Sequence, residues 1–479
     1  MRARNLRLGR WALALLSGLA LWASLGLHPI WWLAWIAPIP LVWAVLGAGA
    51  WEAAALGLLA GVLQSAGWLG YIATVAGPLA APVLGGLVAV LWAAVAAATR
   101  TLAKTWPAPL AVFAYPLAWA AVETLFVHLS PHGTMGGLAV SQMDFLPVMQ
   151  TAALAGGAGV VFLMSLPASV AAVGLRRWPR PPLWSSAAAL GLVAVALVFG
   201  AVRLAQPQTG PTLRFGVVSI DRPDFSEGKL LAKAPPGWDL YLNAARSLAG
   251  RGAQAVLLPE AIDAVPASRQ PRLAERLSTA ARSDDTSLIV GVAAGDGARV
   301  FNRAWAFGPS GALVADYAKH HPAAGEAAIV TPGHGFSLFR VGQATAGLAI
   351  CKDMDFPALA RRYKALGAEV LFVPAWDFGV DGWMHDRMAA MRGVEDGLYI
   401  VRSAEEGVLS VSDPKGRILA AAPSRSGAGT SLIAETRIGP PARTLYSRTG
   451  DLFGWLCLAA LALSLTAFGV RRPLRRGKP

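Results

Sequence analysis

Long apolar stretches constrain the fold of this 479-residue chain more than any other feature. A transmembrane helix needs about 20 predominantly apolar residues, because the hydrocarbon core of a bilayer is about 30 Å thick. Seven stretches of roughly that length precede residue 212 and one follows residue 438, so we predict a protein that crosses the membrane repeatedly. The predicted spans are residues 9–27, 30–48, 52–73, 78–99, 107–127, 148–175, 182–203 and 452–470.

The acidic residues indicate where the chain leaves the membrane. Charged residues make up 15% of the chain, whereas they make up about 25% of an ordinary soluble domain. Asp and Glu are concentrated between about residue 220 and about residue 440. We therefore predict a seven-helix transmembrane domain over residues 1–211, a soluble domain over residues 212–438, and a linker, an eighth helix and a basic tail over residues 439–479.

The positions of the basic residues explain the net charge of +14. Fourteen of the 42 Lys and Arg residues lie in short hydrophilic segments beside the apolar stretches, and the other 28 balance the 28 acidic residues. An excess of this kind reflects membrane topology rather than a nucleic-acid surface, so we predict no nucleic-acid partner. The fourteen are Arg2, Arg4, Arg7, Arg10, Arg100, Lys104, Arg176, Arg177, Arg180, Arg471, Arg472, Arg475, Arg476 and Lys478.

The distribution of Lys and Arg also predicts an orientation, because cytoplasmic loops are enriched in both residues. With the N-terminus inside, the basic clusters fall in the inner loops after the fourth and sixth spans and in the tail. The outer loop at residues 128–147 contains no Lys or Arg, whereas the inner loop before Glu52 is neutral and does not follow the rule. We expect a multi-pass protein of the bacterial inner membrane with its soluble domain on the periplasmic side.

The soluble segment alternates between strand-like and helix-like runs, which predicts an α/β fold with helices covering the faces of sheets. A Gly-Pro-Ser-Gly sequence at residues 308–311 predicts the turn of a hairpin. The predicted strands are Leu213–Ile220, Ala255–Pro259, Leu288–Ala293, Phe301–Phe307, Ala312–Ala318, Ala346–Ile350, Val370–Pro374, Tyr399–Ser403, Val408–Val411 and Ile418–Ala421, and the predicted helices are Trp238–Ala249, Ala267–Arg282, Ala358–Ala365 and Trp383–Val394.

Cys351 is the first candidate catalytic residue. The chain has two cysteines, and the other, Cys457, lies in an apolar stretch, so we predict no disulfide. Cys351 follows the apolar run Ala346–Ile350, where a turn would place backbone N–H groups beside the thiol, lower its pKa and bind an oxyanion. A buried small hydrophobic residue is an equally good interpretation of this cysteine by itself.

Glu260 and Lys319 also follow strand-like runs or lie at their edges, where α/β folds usually carry their chemistry. Near a thiol, Glu260 would act as a general base, and Lys319 would favour the thiolate and stabilise an oxyanion. The structural alternatives are an ion pair or a helix N-cap for Glu260 and a solvated loop lysine for Lys319. His320, His321 and His385 raise the alternatives of Cys–His catalysis and of a metal site, but the adjacent pair lacks the spacing of metal ligands. We predict neither, and no cofactor.

Taken in chain order, Glu260 in LLPEA, Lys319 in DYAKHH and Cys351 in LAICKD resemble the Glu-Lys-Cys triad of the nitrilase superfamily. With its apolar stretches, the whole chain resembles the bacterial apolipoprotein N-acyltransferases. The resemblance implies an αββα sandwich for the soluble domain, with Glu260 as the base, Lys319 as the catalytic lysine and Cys351 as the nucleophile. It also implies that Glu326 supports the lysine.

The resemblance implies a reaction as well. The thiolate would attack an ester of a phospholipid acyl donor, and the resulting thioester would acylate the N-terminal diacylglyceryl-cysteine of a lipoprotein acceptor at the bilayer. Lys352 and Asp353 join the predicted site, yet Cys351-Lys352-Asp353 replaces the family's Cys-Tyr-Glu, and Glu-Glu-Gly at residues 405–407 replaces an Asn-Thr-Gly type segment. These departures leave the acceptor open. The alternative is a divergent membrane acyltransferase or amidohydrolase that acts on another amine or amide.

Overall fold

The computed structural model of the protein describes residues 2–222, 237–439 and 443–471. The predicted basic tail after Arg471 lies outside the described residues. The chain divides into two units, the first formed by Met1–Leu204 with Thr449–Pro479 and the second by Ala205–Arg448. In chain order the helices are α1 Arg2–Ser24, α2 Ile39–Gly47, α3 Ala50–Ala76, α4 Ala80–Thr105, α5 Ala114–Leu129, α6 Leu146–Met149, α7 Ala152–Arg176, α8 Leu183–Ala205, α9 Trp238–Gly250, α10 Gln270–Ser283, α11 Pro357–Ala365, α12 Gly382–Asp396, α13 Tyr446–Thr449 and α14 Leu452–Arg471.

Apolar helices build the first unit, which confirms the prediction of a multi-span helical membrane domain. Among the described residues, five helical stretches are long and apolar enough to cross a membrane: Ala50–Ala76, Ala80–Thr105, Ala108–Leu129, Ala152–Arg176 and Leu183–Ala205. Shorter apolar helical stretches occupy Trp31–Gly47 and Leu452–Ala467. The arrangement of seven spans before the soluble domain and one after it stays a prediction.

The second predicted span is interrupted. Trp31–Trp35 forms a 3₁₀ turn, and α2 begins only at Ile39. Pro38 is the N-cap of α2, and Pro40 lies in its first turn. Proline has no N–H to donate within a helix but suits the first helical positions. The two prolines therefore divide the predicted helix into a 3₁₀ turn and the shorter helix α2.

The segment between α5 and α7, predicted as an outer loop, is mostly buried inside the first unit. Residues Leu138–Gln142 form a buried 3₁₀ turn. The Glu123 carboxylate accepts a hydrogen bond from the Leu138 N–H at 2.9 Å, and the Gln142 side chain accepts one from the Trp35 indole at 2.7 Å. Non-helical backbone is tolerated in an apolar unit where such hydrogen bonds satisfy it.

The inner loop between α2 and α3, which contains no Lys or Arg, lies beside arginines of other helices. The two oxygens of Glu52, at the start of α3, accept hydrogen bonds from Arg10 of α1, both at 3.0 Å. Arg100, near the end of α4, donates to the Ala48 carbonyl at 2.5 Å. The loop therefore contacts basic residues of neighbouring helices, although it contains none of its own.

Two β-sheets form the centre of the second unit. The strands are β1 Thr212–Ser219, β2 Ala255–Leu257, β3 Ala264–Val265, β4 Ser287–Asp296, β5 Arg299–Phe307, β6 Leu313–Ala318, β7 Leu338–Val341, β8 Ala344–Leu348, β9 Val370–Trp376, β10 Tyr399–Glu405, β11 Val408–Ser412, β12 Ile418–Pro423 and β13 Thr430–Arg437. Within the described residues, one sheet has the order β13-β1-β2-β4-β5-β6 with β3 beside β4, and the other has the order β12-β11-β10-β9-β8-β7. The pairs β1–β2, β2–β4, β8–β9 and β9–β10 are parallel.

The two sheets pack face to face. Phe215 of β1 meets Phe372 of β9 edge-on, with 5.6 Å between ring centroids, and both are fully buried. On its other face the first sheet is covered by α9 and α10, whose Tyr241 and Leu277 belong to a second buried cluster. Helices α11 and α12 pack on the second sheet. The predicted α/β class and αββα layering are confirmed.

Three strands were not predicted: β3, β7 and β13. Strand β13 pairs antiparallel with β1 in the register Thr212↔Arg437. Its sequence, Thr-Ser-Leu-Ile-Ala-Glu-Thr-Arg, mixes polar and apolar residues because the strand lies at a sheet edge and is partly exposed. Strands β3 and β7 are only two and four residues long, too short for a recognisable period.

Leu371, fully buried in β9, tests the packing of the second sheet. We expect Leu371→Ala to lower the free energy of unfolding of the second unit by about 2–5 kcal/mol, because a buried cavity replaces the side chain. Leu313→Ala, at a position that is 49% exposed in β6, is the matched control and should change it by less than about 0.5 kcal/mol. Pulse proteolysis of the full chain in urea measures both, and equal effects would contradict the fold.

Candidate active site

Cys351 lies where the backbone leaves β8 and enters a 3₁₀ turn, Cys351–Asp355. It has a φ of 43°. A positive φ is uncommon for a residue with a side chain, and such strained residues are concentrated at active sites. The thiol donates to the carbonyl of Trp376, at the end of β9, with 3.4 Å between Sγ and oxygen. Two adjacent parallel strands therefore hold the thiol.

Asp353 ties this turn to the loop that carries Lys319. Its Oδ2 accepts hydrogen bonds from the Ile350 N–H at 3.0 Å and the Tyr317 hydroxyl at 2.7 Å. Its Oδ1 accepts one from the backbone N–H of His321 at 2.9 Å. Burial raises the pKa of Asp353, but its hydrogen bonds outweigh burial and lower that pKa below the ordinary value. The ionised carboxylate thus fixes the residues on both sides of the lysine.

Lys319 is buried between two carboxylates. Its Nζ lies 2.7 Å from Oε1 of Glu260 and 2.6 Å from Oε2 of Glu326. Asn302, on β5, donates through Nδ2 to the same two side chains, at 2.7 Å to Glu260 and 2.8 Å to Glu326. The two donors each bridge the two acceptors, so the four side chains form one closed network. The name "lysine network" is used below for Glu260, Asn302, Lys319 and Glu326.

The charges of the lysine network depend on one another. Burial lowers the pKa of Lys319, but the two carboxylates outweigh burial and raise that pKa well above the ordinary value, so the ammonium stays charged. Burial raises the pKa of Glu326, but Lys319 outweighs it and brings the pKa below the ordinary value. The pKa of Glu260 shifts upward, because burial and the charge of Glu326 together outweigh Lys319. Glu260 is therefore the carboxylate better suited to accept a proton.

The resting thiol of Cys351 is protonated. Burial raises its pKa well above the ordinary value, the charge of Glu260 raises it further, and Lys319 opposes these shifts without cancelling them. The expectation of a thiol pKa below the ordinary value is wrong, because the thiol is desolvated and faces a carboxylate, although Lys319 does act in the expected direction. A nucleophilic thiolate must therefore form during the reaction by transfer of the proton to a base.

Lys352 follows the nucleophile and is partly buried. Its Nζ lies 3.5 Å from the Pro322 carbonyl, a weak contact. Burial lowers the pKa of Lys352; Asp355 opposes this shift, and Lys319 adds to it. Lys352 therefore adds a second cation to the surroundings of the thiol.

A buried ion pair that the sequence did not indicate also acts on the thiol. Asp377, after β9, accepts two hydrogen bonds from Arg402 of β10, one of them at 3.0 Å. Both side chains are almost completely buried. The charge of Asp377 raises the pKa of Cys351, and the charge of Arg402 lowers it, so the two members of the pair act on the thiol in opposite directions. Two hydrogen bonds between these side chains connect β10 to the residue that follows β9.

The candidate histidines have other partners. Burial lowers the pKa of His385, but hydrogen bonds and charges from carboxylates outweigh burial and raise it well above the ordinary value, and Asp381 lies 3.1 Å away. A charged imidazole is not a base, so Cys–His catalysis is not favoured. His320 contacts the Gly335 carbonyl at 2.8 Å, and His321 stacks on a phenylalanine ring. In the part of the chain that the structure describes, no group of three or more His, Cys, Asp or Glu residues is placed to hold a metal ion.

Glu405 is fully buried, and its two oxygens accept hydrogen bonds from Arg222 at 2.9 and 2.6 Å. The neighbouring Glu406 has a φ of 50°, and its N–H donates to Asp221 at 2.7 Å. The Glu-Glu-Gly segment at residues 405–407, where the sequence departs from the family pattern, is therefore part of a turn held by hydrogen bonds to Arg222 and Asp221. Its first anion is neutralised by an arginine.

The structure joins three of the six predicted site residues, Glu260, Lys319 and Glu326, directly in the lysine network. It places Cys351 where the charges of Glu260 and Lys319 act on its thiol. Asn302 was missed, because β5 also contains Arg299 and Arg303 and nothing in its sequence singles out the asparagine. A protonated thiol, a buried carboxylate and a fixed ammonium are the kinds of group that nucleophilic attack on a carbonyl requires.

Comparison with known proteins gives matches in both units. Residues 227–437 match the carbon-nitrogen hydrolase family, and residues 17–170 match the apolipoprotein N-acyltransferase N-terminal domain. An apolipoprotein N-acyltransferase of Geobacter metallireducens is 28% identical over 519 residues, covering 96% of this chain and 95% of that protein. Another, of Gloeobacter violaceus, is 30% identical over 400 residues, covering 75% and 71%. An omega-amidase of Homo sapiens is 29% identical over 207 residues, covering 37% and 75%.

Alkylation of Cys351 tests the electrostatics of the site. In a Cys457→Ser background we expect iodoacetamide to react slowly near neutral pH and faster as the pH rises, because the thiolate is the reactive form. Glu260→Gln removes a charge that raises the thiol pKa and should lower the pH midpoint of alkylation by about one unit, whereas Lys319→Met should raise it by a similar amount. Mass spectrometry measures the rates. Glu435→Gln, at an exposed position, is the control, and an identical midpoint in all variants would contradict the assigned charges.

Proposed function

We propose that this chain, which belongs to the apolipoprotein N-acyltransferase family of the nitrilase superfamily, acylates the N-terminal diacylglyceryl-cysteine of lipoproteins with an acyl chain from a phospholipid. The protein is an acyltransferase, as its relatives and its carbon-nitrogen hydrolase domain indicate. The donor, the thioester on Cys351 and the roles of the site residues are the proposal. The observation that carries it is the lysine network next to a protonated thiol.

In the first half-reaction Glu260 takes the proton of the Cys351 thiol while sulfur attacks the ester carbonyl of the phospholipid. The ammonium of Lys319 and backbone N–H groups at the turn around Lys352 stabilise the oxyanion. The carbon–oxygen bond of the ester then breaks, and the proton on Glu260 passes to the departing alkoxide. A lysophospholipid leaves, and the acyl group stays on Cys351 as a thioester.

In the second half-reaction the uncharged α-amine of the lipoprotein attacks the thioester. Glu260 accepts the proton that the amine loses, and Lys319 again stabilises the oxyanion. The carbon–sulfur bond breaks, the sulfur regains a proton from Glu260, and the product is an amide. One carboxylate thus serves both steps, which suits a residue whose pKa is raised by burial.

A carboxylate with this role must stay near the thiol in both protonation states. When Glu260 gains a proton, Lys319 loses one of its two ionic partners, and Glu326 still balances its charge at 2.6 Å. Asn302 continues to hold the carboxyl group in place through its side-chain amide. These contacts support Glu326 as a positioning residue for the lysine.

The membrane unit supports the choice of lipid substrates, because a membrane-embedded acyltransferase meets its donor and its acceptor in the same bilayer. We place the chain in the bacterial inner membrane with its catalytic domain on the periplasmic side. The positive-inside rule favours this orientation. The contacts of Arg10 with Glu52 and of Arg100 with the Ala48 carbonyl place basic residues beside the one inner loop that contains none.

An amidohydrolase or another acyltransferase of the same superfamily is the second candidate. The sequence Cys351-Lys352-Asp353 at the nucleophile favours it, and so does the match of part of the chain to an omega-amidase. Both candidates share the thioester and differ in what attacks it. Free fatty acid released from phospholipid by the purified protein, in the presence of a diacylglyceryl-cysteine peptide that stays unmodified, would favour the second.

Complementation tests the acceptor. In a bacterium depleted of its own apolipoprotein N-acyltransferase, we expect this chain to restore triacylated lipoproteins, detected by mass spectrometry of their N-terminal peptides. Cys351→Ala should abolish the restoration, because no thioester forms, and Cys457→Ala, the matched control, should not. Diacylated lipoproteins that persist despite normal expression of the wild-type chain would contradict the proposed acceptor.

Substitution of the base tests the mechanism. We expect Glu260→Gln to lower kcat by about 10²–10⁴-fold, with a small effect on KM, because general base catalysis is lost while binding is kept. Glu435→Gln, an exposed glutamate of the same unit, should stay within about twofold of the wild type, as is usual for surface substitutions. Rates of acyl transfer by the purified full-length protein in detergent measure both. A Glu260→Gln variant with wild-type kcat would rule out this carboxylate as the base.

A further inference from the structure

Arginines from three helices converge on the C-terminal end of α2 in the membrane unit, and the first, Arg10 of α1, donates to the Gly47 carbonyl at 3.4 Å. Arg100, near the end of α4, donates from Nε to the Ala48 carbonyl at 2.5 Å. The guanidinium of Arg176, the last residue of α7, lies against Gly47, where a Cβ atom would collide with its Nη2. The guanidinium groups of Arg100 and Arg176 thus contact consecutive residues.

Neither Arg100 nor Arg176 has a carboxylate partner within the described ranges. The nearby carboxylate is Glu52, and Arg10 occupies both of its oxygens. Arg7 is a further cation, 3.8 Å from Glu52. Among the described residues, the ion pairs of Glu52 are with Arg7 and Arg10, so this acid is paired with neither Arg100 nor Arg176.

Most of the hydrogen-bonding capacity of the two arginines is also unused. A guanidinium has five N–H donors arranged as a planar fork that fits two oxygens of a phosphate. Arg100 directs one of its donors to a described protein acceptor, the Ala48 carbonyl. Arg176 lies over the ring of Trp43, with 5.0 Å from its central carbon to the ring centroid. The residue is exposed, and no described protein group accepts a hydrogen bond from its guanidinium.

The surroundings are those of a membrane interface. The arginines lie at the ends of apolar helices, and Trp51 and Trp178, near the ends of the same group of helices, are 90% and 77% exposed. Tryptophan and arginine at the ends of spans mark the level of lipid headgroups. Basic pockets between the ends of transmembrane helices are suited to anionic headgroups.

We propose that Arg100 and Arg176 form a binding site for the phosphate of an anionic phospholipid, at the end of the membrane unit where α2 terminates. The phosphate oxygens take the free N–H donors of both guanidinium groups and supply the negative charge that Glu52 does not. The glycine at position 47 leaves the space in which Arg176 reaches the site. This lipid is a bound partner of the membrane unit, and its binding does not depend on the acyl-transfer mechanism.

Native mass spectrometry of the full-length protein with equimolar phosphatidylglycerol and phosphatidylcholine tests the site. We expect the wild type to retain phosphatidylglycerol preferentially. Each Arg→Gln substitution, at Arg100 or Arg176, should weaken this binding by about 5-fold and the double variant by about 30-fold, the effect of about 1 kcal/mol per basic residue at a membrane surface. Arg177→Gln combined with Arg180→Gln removes as much charge from the same end as the double variant does. It should change binding by less than about twofold, since no contact of either side chain with the end of α2 is seen among the described residues.

Further variants keep the test decisive. Arg176→Gln removes no hydrogen bond to a described residue, so its midpoint of thermal unfolding should match that of the wild type even if Arg100→Gln is destabilised. Substituting both arginines by lysine should weaken binding less than glutamine does, because charge is kept and the fork is lost. A folded Arg176→Gln variant with wild-type preference would overturn the proposal. Equal losses in the Arg177 and Arg180 control, or displacement of the lipid by inorganic phosphate at the same concentration, would also overturn it.

Discussion

The charge of Lys319 is held deep in the protein by two carboxylates, and the geometry of the site depends on that constraint. Removing one partner of a buried ion pair typically costs about 3–5 kcal/mol, so the ammonium and its partners are fixed together. The backbone adds to this, since the Lys319 N–H donates to the Asn302 carbonyl at 2.8 Å. Because Glu326 keeps the lysine charged, Glu260 is free to change its protonation state. The thiol beside them can then remain neutral until a substrate carbonyl is present.

The packing of the two sheets sets the position of Glu260, the proposed base, relative to Cys351, the proposed nucleophile. Glu260 follows β2 in one sheet, and Cys351 follows β8 in the other. A backbone hydrogen bond from the Glu260 N–H to the Ala375 carbonyl, at 3.3 Å, joins the sheets at this point, and the next residue, Trp376, accepts from the thiol. The parallel strands end together here, which is where α/β folds usually bind their ligands. The core between the sheets is therefore part of the catalytic geometry.

The class of fold and the centre of the site were predictable because they depend on local signals. Cys351 and Lys319 each end a run of apolar residues, and polar residues at such places require a partner or a function. Asn302 was not predictable, because β5 also contains Arg299 and Arg303, and these polar residues have no spacing that singles out the asparagine. The raised pKa of the thiol was not predictable either, since it depends on burial and on Glu260, which is distant in sequence. The buried turn Leu138–Gln142 looked like a loop because its hydrogen-bond partners come from other helices.

A covalent acyl group on Cys351 is the most direct consequence of the proposed mechanism. The full-length protein, incubated with phospholipid and no acceptor, quenched in acid and digested, is measured by mass spectrometry. The mechanism predicts that the peptide containing Cys351 gains the mass of one acyl chain, matched by one lysophospholipid per protein, and loses it in neutral hydroxylamine. Production of lysophospholipid with the acyl group on another residue, or with no acyl-enzyme in a single turnover, would contradict the role assigned to the thiol and its buried base.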